Sequence, residues 1–413
     1  MYAQNAAYNI YGKIYDENKK PLEFATVVFR EGKVGATTNE KGIFRLSINA
    51  NPEDVLIVSF LGYKNKQVSI RDFLNLPNGT ICLSPDVFIL DEVIAGELNL
   101  EKKLSAKSLF KKARKTFDKN LPPYNYIAKA YYKEKIKYNN KYVLFAQSIG
   151  YALNMHLRPN TAYMTKYKFI YKNTKLANID TLWRESIKKK YDRISDCFLS
   201  GSANVNQYLR LTKYGVLSNK WNNYEYELDS VYYKHGRKIY RINFKGKETG
   251  CVDFYADNLR IFQMNYDTSN FPTNPFNKYL TANIAIQFHY FNNNVFLSKM
   301  TSSYIFEDNT HFNSFEILSQ KFSGFKTDRA EYWGAVQNAY NPTIFYDPKE
   351  WQNLKIEDDI EIEVIKKDLA PNTTLETQYI KNSGSRLDLT FPITEYEVHF
   401  LKKMKQIESA FLE

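Results

Sequence analysis

The sequence has 413 residues and a net charge of +12, and 16% of its residues are aromatic, with 33 Tyr and 28 Phe. That length allows two or three domains with a core in each, and the Tyr and Phe content favours β-strands. No apolar run approaches the roughly 18 residues of a membrane-spanning helix. The positive charge favours anionic partners, although a solvated lysine-rich surface is the simpler explanation.

The N-terminus, MYAQN, has neither a basic region nor an apolar run. Ala3-Gln4 is typical of the residues around a signal-peptide cleavage site, where a small residue precedes the cut. We therefore expect an exported protein, in the periplasm or associated with the outer membrane, whose signal peptide has already been removed. A cytoplasmic protein that begins at Met1 is the alternative.

Residues 8–88 have the pattern of a small β-sandwich, with strands every 8–12 residues separated by polar turns. In the stretch VGATTNEKGIFRLSI, a turn over 39–42 is followed by Phe44, Leu46 and Ile48, which alternate with polar residues. Gly42 is predicted to supply a positive φ in this hairpin, and Gly62 to turn the chain at a corner.

Several short motifs recur in a fixed order through these residues: Gly12-Lys13-Ile14, Pro21-Leu22, Gly35-Ala36-Thr37-Thr38-Asn39, Gly42-Ile43-Phe44 and Ser59-Phe60-Leu61-Gly62-Tyr63. The order resembles the carboxypeptidase-regulatory-like, transthyretin-like (prealbumin-like) β-sandwich. The resemblance implies a Bacteroidota-type envelope protein in which this domain mediates protein interaction. It also raises the question of whether a peptidase follows.

Residues 89–122 are predicted to form a linker and one amphipathic helix. Leu109, Ala113 and Phe117 share one helix face, with Ala106 and Phe110 beside them, and the lysines lie mostly elsewhere. Such a basic helix either lies on a membrane or packs on a sheet, and packing is the commoner outcome.

Residues 123–340 are predicted to form a large curved antiparallel sheet with a few packed helices. Turn signals lie at Asn139-Asn140, His235-Gly236, residues 256–258 and residues 292–294, each between two alternating segments. Strand, turn and neighbouring strand follow one another as in a meander. The fold class is therefore mainly β, and a helical stretch is expected over 191–199.

The pattern Y-x-L-D-S-V-x-Y-x-x-x-R-x-I-Y-x-I-x-F, from Tyr226 to Phe244, with Gly250 after it, resembles the lipoprotein-carrier-like (LolA-like) half-barrel. The resemblance implies a sheet curled around an apolar groove. Alternation places six residues on the face that would line the groove, and a shift of one residue would turn them outward. These candidate groove residues are Tyr240, Ile242, Phe244, Phe254, Ile261 and Phe288.

Residues 341–413 form a C-terminal extension. The acidic run IEDDIEIE lacks the glycine of a calcium-binding EF-hand loop, and we expect it to be a solvated helix or strand. A capping-box pattern at Thr394–Glu397 predicts a final helix.

Catalytic motifs are absent from the sequence. None of the five histidines has a Glu three residues later, so a zinc carboxypeptidase site is excluded, and there is no GxSxG elbow and no phosphate-binding glycine loop. The three cysteines form no CxxC pair, and free thiols are expected at Cys82, Cys197 and Cys251, although one disulfide is possible. We therefore predict no catalytic residue, no metal and no cofactor.

Three hypotheses for function remain open. The first is a non-enzymatic envelope protein that binds a lipid, a lipoprotein or a glycolipid in the half-barrel and contacts an envelope protein through the sandwich. The second is a structural scaffold with a filled core. The third is a hydrolase whose carboxylates are brought together by the fold. Alternating Tyr and Lys also occur in nucleic-acid-binding platforms, but any half-exposed strand shows this pattern, so no nucleic-acid partner is expected.

Overall fold

The computed structural model describes residues 6–29, 34–60, 63–85, 105–124, 126–154, 167–178, 215–234, 236–268, 281–306, 309–321, 346–354, 356 and 359–383. Gly62, the helical stretch predicted over 191–199, His235, Cys197 and the final helix predicted from Thr394 lie outside the described residues.

Two sheet layers form the N-terminal sandwich. One layer has the order β4-β1-β7, with β1 and β7 parallel, and the other has the order β3-β2-β5-β6. A short helix α1 (Ile70–Asn75) precedes the last strand. The strands are β1 (Ala6–Asp16), β2 (Thr26–Phe29), β3 (Val34–Thr37), β4 (Ile43–Ala50), β5 (Val55–Ser59), β6 (Lys66–Ser69) and β7 (Thr80–Leu83).

The hairpin before β4 shows why the sequence folds in this way. Asn39 Oδ1 accepts hydrogen bonds from the backbone N–H groups of Lys41 and Ile43, each at 3.0 Å, and so closes the turn. Gly42 has φ +72°, and a Cβ there would lie 2.5 Å from the carbonyl oxygen of Ile14. The predicted positive φ is thus confirmed, and Phe44, Leu46 and Ile48 are buried as their alternation indicated.

The second sheet contains ten antiparallel strands in the order β11-β12-β13-β14-β15-β16-β17-β8-β9-β10. Sequence neighbours pair from β8 to β10 and from β11 to β17, as the meander predicted, but β10 and β11 lie at opposite ends of the sheet, and the two runs are joined by the pairing of β17 with β8. The strands are β8 (Tyr126–Tyr138), β9 (Lys141–Asn154), β10 (Tyr167–Asn178), β11 (Glu225–Lys234), β12 (Arg237–Lys245), β13 (Thr249–Tyr255), β14 (Ile261–Thr268), β15 (Thr281–Phe291), β16 (Asn294–Phe306) and β17 (Asn309–Lys321).

Asparagine pairs make two of the tight turns of this sheet. Asn139 and Asn140 have φ values of 46° and 62°, and Asn292 and Asn293 have 46° and 64°. Two successive left-handed residues give the turn whose twist matches that of antiparallel strands, and Asn tolerates this conformation well. Both positions agree with the turn signals in the sequence.

The two faces of this sheet differ in what covers them. We call the face that packs on helix α2 (Ala106–Lys119) the helix face, and the opposite one the outer face. Leu109, Phe110, Ala113 and Phe117 of α2 are buried, so the predicted amphipathic helix packs on the sheet. Three short helices, α3 (Pro348–Leu354), α4 (Ile362–Leu369) and α5 (Leu375–Asn382), pack on the outer face of β8, β9 and β10.

The sandwich and the ten-stranded sheet are joined by backbone pairing. Gln320 and Lys321 at the end of β17 pair with Gly35 and Val34 of β3, beyond the point where β16 stops pairing at Glu316. The layer β3-β2-β5-β6 therefore continues the large sheet.

Ion pairs reinforce this junction on the outer face. Glu23 forms an ion pair with Lys234 and accepts a hydrogen bond from Gln287 Nε2 at 3.4 Å. Lys299 Nζ lies 3.2 Å from Glu40 Oε1. The junction is thus held by side chains from β11, β15 and β16 as well as by the backbone.

The acidic run of the C-terminal extension is not simply solvated, because its carboxylates bind three lysines on the outer face of β8. Asp359 lies 2.7 Å from Lys133 and 3.1 Å from Lys135, and Glu361 lies 2.6 Å from Lys135 and 3.1 Å from Lys137. The Asp359 side chain is only 1% exposed. The run therefore fastens the extension to the sheet.

We expect Asp359→Asn to lower the free energy of unfolding by about 3 kcal/mol, because it leaves two partly buried lysines with one acceptor charge fewer. Urea unfolding at neutral pH measures this loss. The matched control is Glu53→Gln, which breaks an exposed pair with Arg71 and should change stability by no more than about 0.5 kcal/mol. Equal losses in both variants would contradict the fastening role of Asp359.

The same cluster predicts sensitivity to acid. The hydrogen bond from Lys135 is the main reason why the pKa of Glu361 falls from 4.5 to about 2. At Asp359 burial raises the pKa, but the lysine hydrogen bonds and charges outweigh burial and lower it. Because both pKa values are depressed in the folded state, the stability they contribute is present above the unfolded values and is lost as pH falls towards 2.

We therefore expect wild type and the double variant Asp359→Asn/Glu361→Gln to differ by a constant free energy of unfolding above about pH 5. The difference should shrink steadily below that pH and approach zero near pH 2. Urea unfolding along a pH series measures it. A difference that does not depend on pH would show that the carboxylate charges are not responsible.

Candidate functional site

All six candidate groove residues lie in one buried cluster on the helix face. Tyr240 is 8% exposed, and the other five are 1% exposed or less. The structure therefore brings together Tyr240, Ile242, Phe244, Phe254, Ile261 and Phe288. Their role in binding a ligand stays a prediction.

Strand register explains how these residues meet. Tyr240 pairs with Phe254, Ile242 with Val252, and Phe244 with Gly250, so side chains of β12 and β13 stack across the sheet. A Cβ at Gly250 would lie 2.1 Å from the carbonyl oxygen of Asn265. Only glycine fits this close backbone approach, and Phe244 is its partner on the paired strand.

Helix α2 covers the cluster with aromatic contacts. Phe117 meets Phe288 edge-on at 5.1 Å between ring centroids, and Phe110 stacks on Tyr226 at 4.6 Å. At the C-terminal end of the helix, the Val295 N–H donates a 2.7 Å hydrogen bond to the Asn120 carbonyl oxygen. Among the described residues, α2 thus occupies the space that an apolar ligand would use.

A basic and aromatic rim lies beside α2. The ring of Trp221 has three cations of the helix near its face: Lys107 at 5.8 Å, Lys111 at 5.7 Å and Arg114 at 5.9 Å. Lys107 Nζ also donates a hydrogen bond to the Asn222 carbonyl oxygen at 3.3 Å. Clustered cations at the edge of an apolar region suit the anionic end of an amphiphile.

A cavity of about 600 Å³ reaches the same cluster from the end of the strands. Phe244, Tyr226 and Tyr266 line its apolar side, and Glu225 and Asp267 lie on its polar side. This volume is within the usual range of about 300–1,000 Å³ for small-molecule sites.

On the outer face, a buried carboxylate, that of Asp253, accepts hydrogen bonds from two neighbouring side chains. Asp253 is 1% exposed and is bound by Arg241 through two hydrogen bonds, of 2.8 Å from Nε and 2.7 Å from Nη2. Tyr232 adds a third hydrogen bond at 2.9 Å. A carboxylate held in this way serves as a structural anion rather than as a general base.

Sequence reasoning did not identify this group, although alternation does place Arg241 and Asp253 on the face opposite Ile242 and Phe254. The missing information was the register that pairs residue 241 with residue 253.

The described part of the chain supplies no further reactive cluster. Within it, no group of three or more His, Cys, Asp or Glu side chains is placed to hold a metal ion. Cys82 and Cys251 are free thiols, and burial is the largest influence that raises the pKa of Cys251. No helix in the described ranges is both long enough and apolar enough to span a bilayer.

A β-sandwich joined to a curled half-barrel sheet defines the class of fold. Residues 10–95 match the family model of the CarboxypepD_reg-like domain, as the N-terminal motifs indicated. No curated protein matches the chain.

Solved structures similar to this chain include a LolA superfamily protein from Nitrosomonas europaea, with 8% identity and a TM-score of 0.22 over 54% of this chain and 95% of that one. A DUF1329 family protein from Desulfovibrio piger has 11% identity and a TM-score of 0.25 over 54% and 95% of the two chains. Neither of these two structures shows what this chain binds. A Bacteroidota-type origin also stays a prediction.

The packing of α2 can be tested directly. We expect Phe117→Ala to lower the free energy of unfolding by about 3–5 kcal/mol, because it removes a fully buried ring that packs on Phe288. Lys112→Ala, on the exposed face of the same helix, should change stability by less than about 0.5 kcal/mol. Urea unfolding of both variants measures the difference, and a loss below about 1 kcal/mol for Phe117→Ala would mean that α2 is not docked.

Proposed function

We propose that this protein is a non-enzymatic, exported envelope protein that binds an apolar or amphiphilic ligand, such as a lipid, a lipoprotein acyl chain or a glycolipid, on the helix face of its half-barrel. In this proposal the sandwich contacts another envelope protein. The observation that carries it is the continuous apolar helix face, which among the described residues is covered mainly by helix α2, with the segment over residues 215–224 beside it.

In this proposal, the apolar ligand binds by replacing α2 as the partner that covers the helix face. An acyl chain takes the place of the α2 side chains, and each buried methylene contributes about 0.8 kcal/mol. The backbone hydrogen bond between Val295 and Asn120 retains the C-terminal end of α2 while the rest of the helix moves. Lys107 and Lys111 then meet an anionic group at the rim, while Arg114 stays paired with Asp118 at 2.6 Å.

A scaffold with a filled core is the second candidate. The near-complete burial of the six candidate groove residues under α2 favours it. The two candidates differ in whether α2 leaves the helix face when an apolar chain is supplied.

Hydrogen exchange decides between them, with palmitate as the probe. Saturating palmitate should speed amide exchange over residues 106–119 by about tenfold or more, because the displaced helix loses its packing. Amides of β12 and β13 should not exchange faster. Native mass spectrometry of the same sample should show palmitate bound.

The control is 1-butanol, whose three methylenes bury too little surface to displace three large side chains. Unchanged exchange in α2 together with no bound palmitate would sink the ligand proposal and leave the scaffold as the better account.

A further inference from the structure

A second cavity lies on the outer face, between the sandwich and the large sheet, and α2 contributes nothing to its walls. Its volume is about 380 Å³. The sandwich contributes Phe24, Phe60 and Tyr63, together with Thr26, Ser59 and Asn65. The sheet contributes residues near the turn from β13 to β14, among them Arg237 and Arg260. Junctions of this kind are common places for small-molecule sites, and the volume is within their usual range.

Aromatic rings from both sides form the walls of this cavity. Tyr255 and Phe262 stack with centroids 4.6 Å apart, and Phe24 of the sandwich meets Phe262 edge-on at 6.2 Å. Phe60 and Tyr63 form a second pair at 5.4 Å. Such walls are rigid and apolar, and they suit a flat ring.

Two arginines give the cavity its charge. The guanidinium of Arg237 lies 3.3 Å from the centroid of the Tyr255 ring, and that of Arg260 lies 5.0 Å from the Tyr290 centroid. Among the described residues that line the cavity, none is an Asp or Glu. The lining is therefore cationic, and a guanidinium fork matches the geometry of a carboxylate, a phosphate or a sulfonate.

The two arginines differ in whether a neighbouring carboxylate already balances their positive charge. Arg237 Nη2 contacts both carboxylate oxygens of Asp257 at 2.8 Å. Arg260 Nη2 donates a 2.5 Å hydrogen bond to Asn293 Oδ1, and Arg260 forms no ion pair with any residue in the described ranges. Arg260 is thus the cation with charge to offer an anion, and Arg237 is a supporting one.

We propose that this cavity binds a small soluble organic anion, with its carboxylate or other oxyanion on Arg260 and its ring between the aromatic walls. Phe288 borders both this cavity and the helix face, but no residue of α2 lines the cavity, so this proposal does not depend on the lipid-binding proposal. Both the sandwich and the large sheet contribute walls to the cavity. Under this proposal their junction therefore binds a ligand, which a purely structural scaffold would not need to do.

A pair of fluorescent probes with the same ring system tests the proposal: 8-anilinonaphthalene-1-sulfonate, which is anionic, and N-phenyl-1-naphthylamine, which lacks the sulfonate. Wild type should bind the anionic probe at a saturable site. Arg260→Gln should weaken that binding by about tenfold or more, the size expected for the loss of a charge-assisted hydrogen bond. Arg260→Lys should weaken it less, because the charge is kept and only the fork is lost.

Matched controls separate a site from general attraction to a basic protein. Arg71→Gln removes the same charge from an exposed position on the sandwich and should leave the affinity within about twofold. The neutral probe should bind Arg260→Gln and wild type equally well. Bound sulfonate probe should slow amide exchange in β2 and β14 and leave α2 unchanged, which separates this site from the helix face.

Three results would each overturn the proposal. They are an Arg260→Gln variant that binds the anionic probe as wild type does, an Arg71→Gln variant that loses as much affinity, and protection that falls on α2 instead of β2 and β14. Thermal melting of each variant confirms that it is folded before binding is compared.

Discussion

The architecture depends on the two edges of β17. On one edge this strand pairs with β8 over nearly its whole length, and on the other it pairs first with β16 and then, at Gln320 and Lys321, with β3. A strand offers backbone donors and acceptors on both edges, and a buried edge without a partner is costly. Because both of its edges are paired, β17 joins the strands β8 to β10 to the strands β11 to β16, and its pairing with β3 fixes where the sandwich attaches.

That attachment decides where the cavities lie. Because β3 continues the edge of β17, the sandwich stands on the outer face, and its residues Phe24, Phe60 and Tyr63 reach the turn between β13 and β14. The helix face is left to α2 and the segment over residues 215–224. The alternation of strands, interrupted by a few bulges, therefore gives β12 to β15 two chemistries: an apolar surface towards α2, and an outer surface with arginines, carboxylates and tyrosines. Phe288 borders both faces, because it packs on Phe117 of α2 and also lines the outer cavity.

Local pattern was enough to predict much of this. Alternation placed Tyr240, Ile242 and Phe244 on one face with Phe254, and the asparagine pairs and Gly42 marked their turns because each needs a left-handed backbone. The helix α2 followed from the spacing of Leu109, Ala113 and Phe117. Each of these signals acts over a few residues, where sterics and periodicity dominate.

What the sequence did not reveal depends on distant partners. Asp359 was expected to be solvated, yet it is buried against Lys133 and Lys135, more than 200 positions earlier. Nothing in an acidic run indicates which lysines it meets. The pairing of β17 with β3, and the meeting of Phe24 with Phe262, are likewise set by topology. The cavity between sandwich and sheet, which depends on both, could not be read from either half alone.

The closed helix face is itself compatible with binding, because the energies of the two competing partners are similar. Burial of Leu109, Phe110 and Phe117 stabilises the docked helix by about 1.5–3 kcal/mol for each side chain. A ligand gains about 0.8 kcal/mol for each methylene, so a chain of roughly six to eleven methylenes balances the whole contribution of these side chains. Under the proposed function, shorter chains leave α2 docked and longer ones displace it. The helix then sets a minimum length for the ligand, and the face stays covered when no such chain is present.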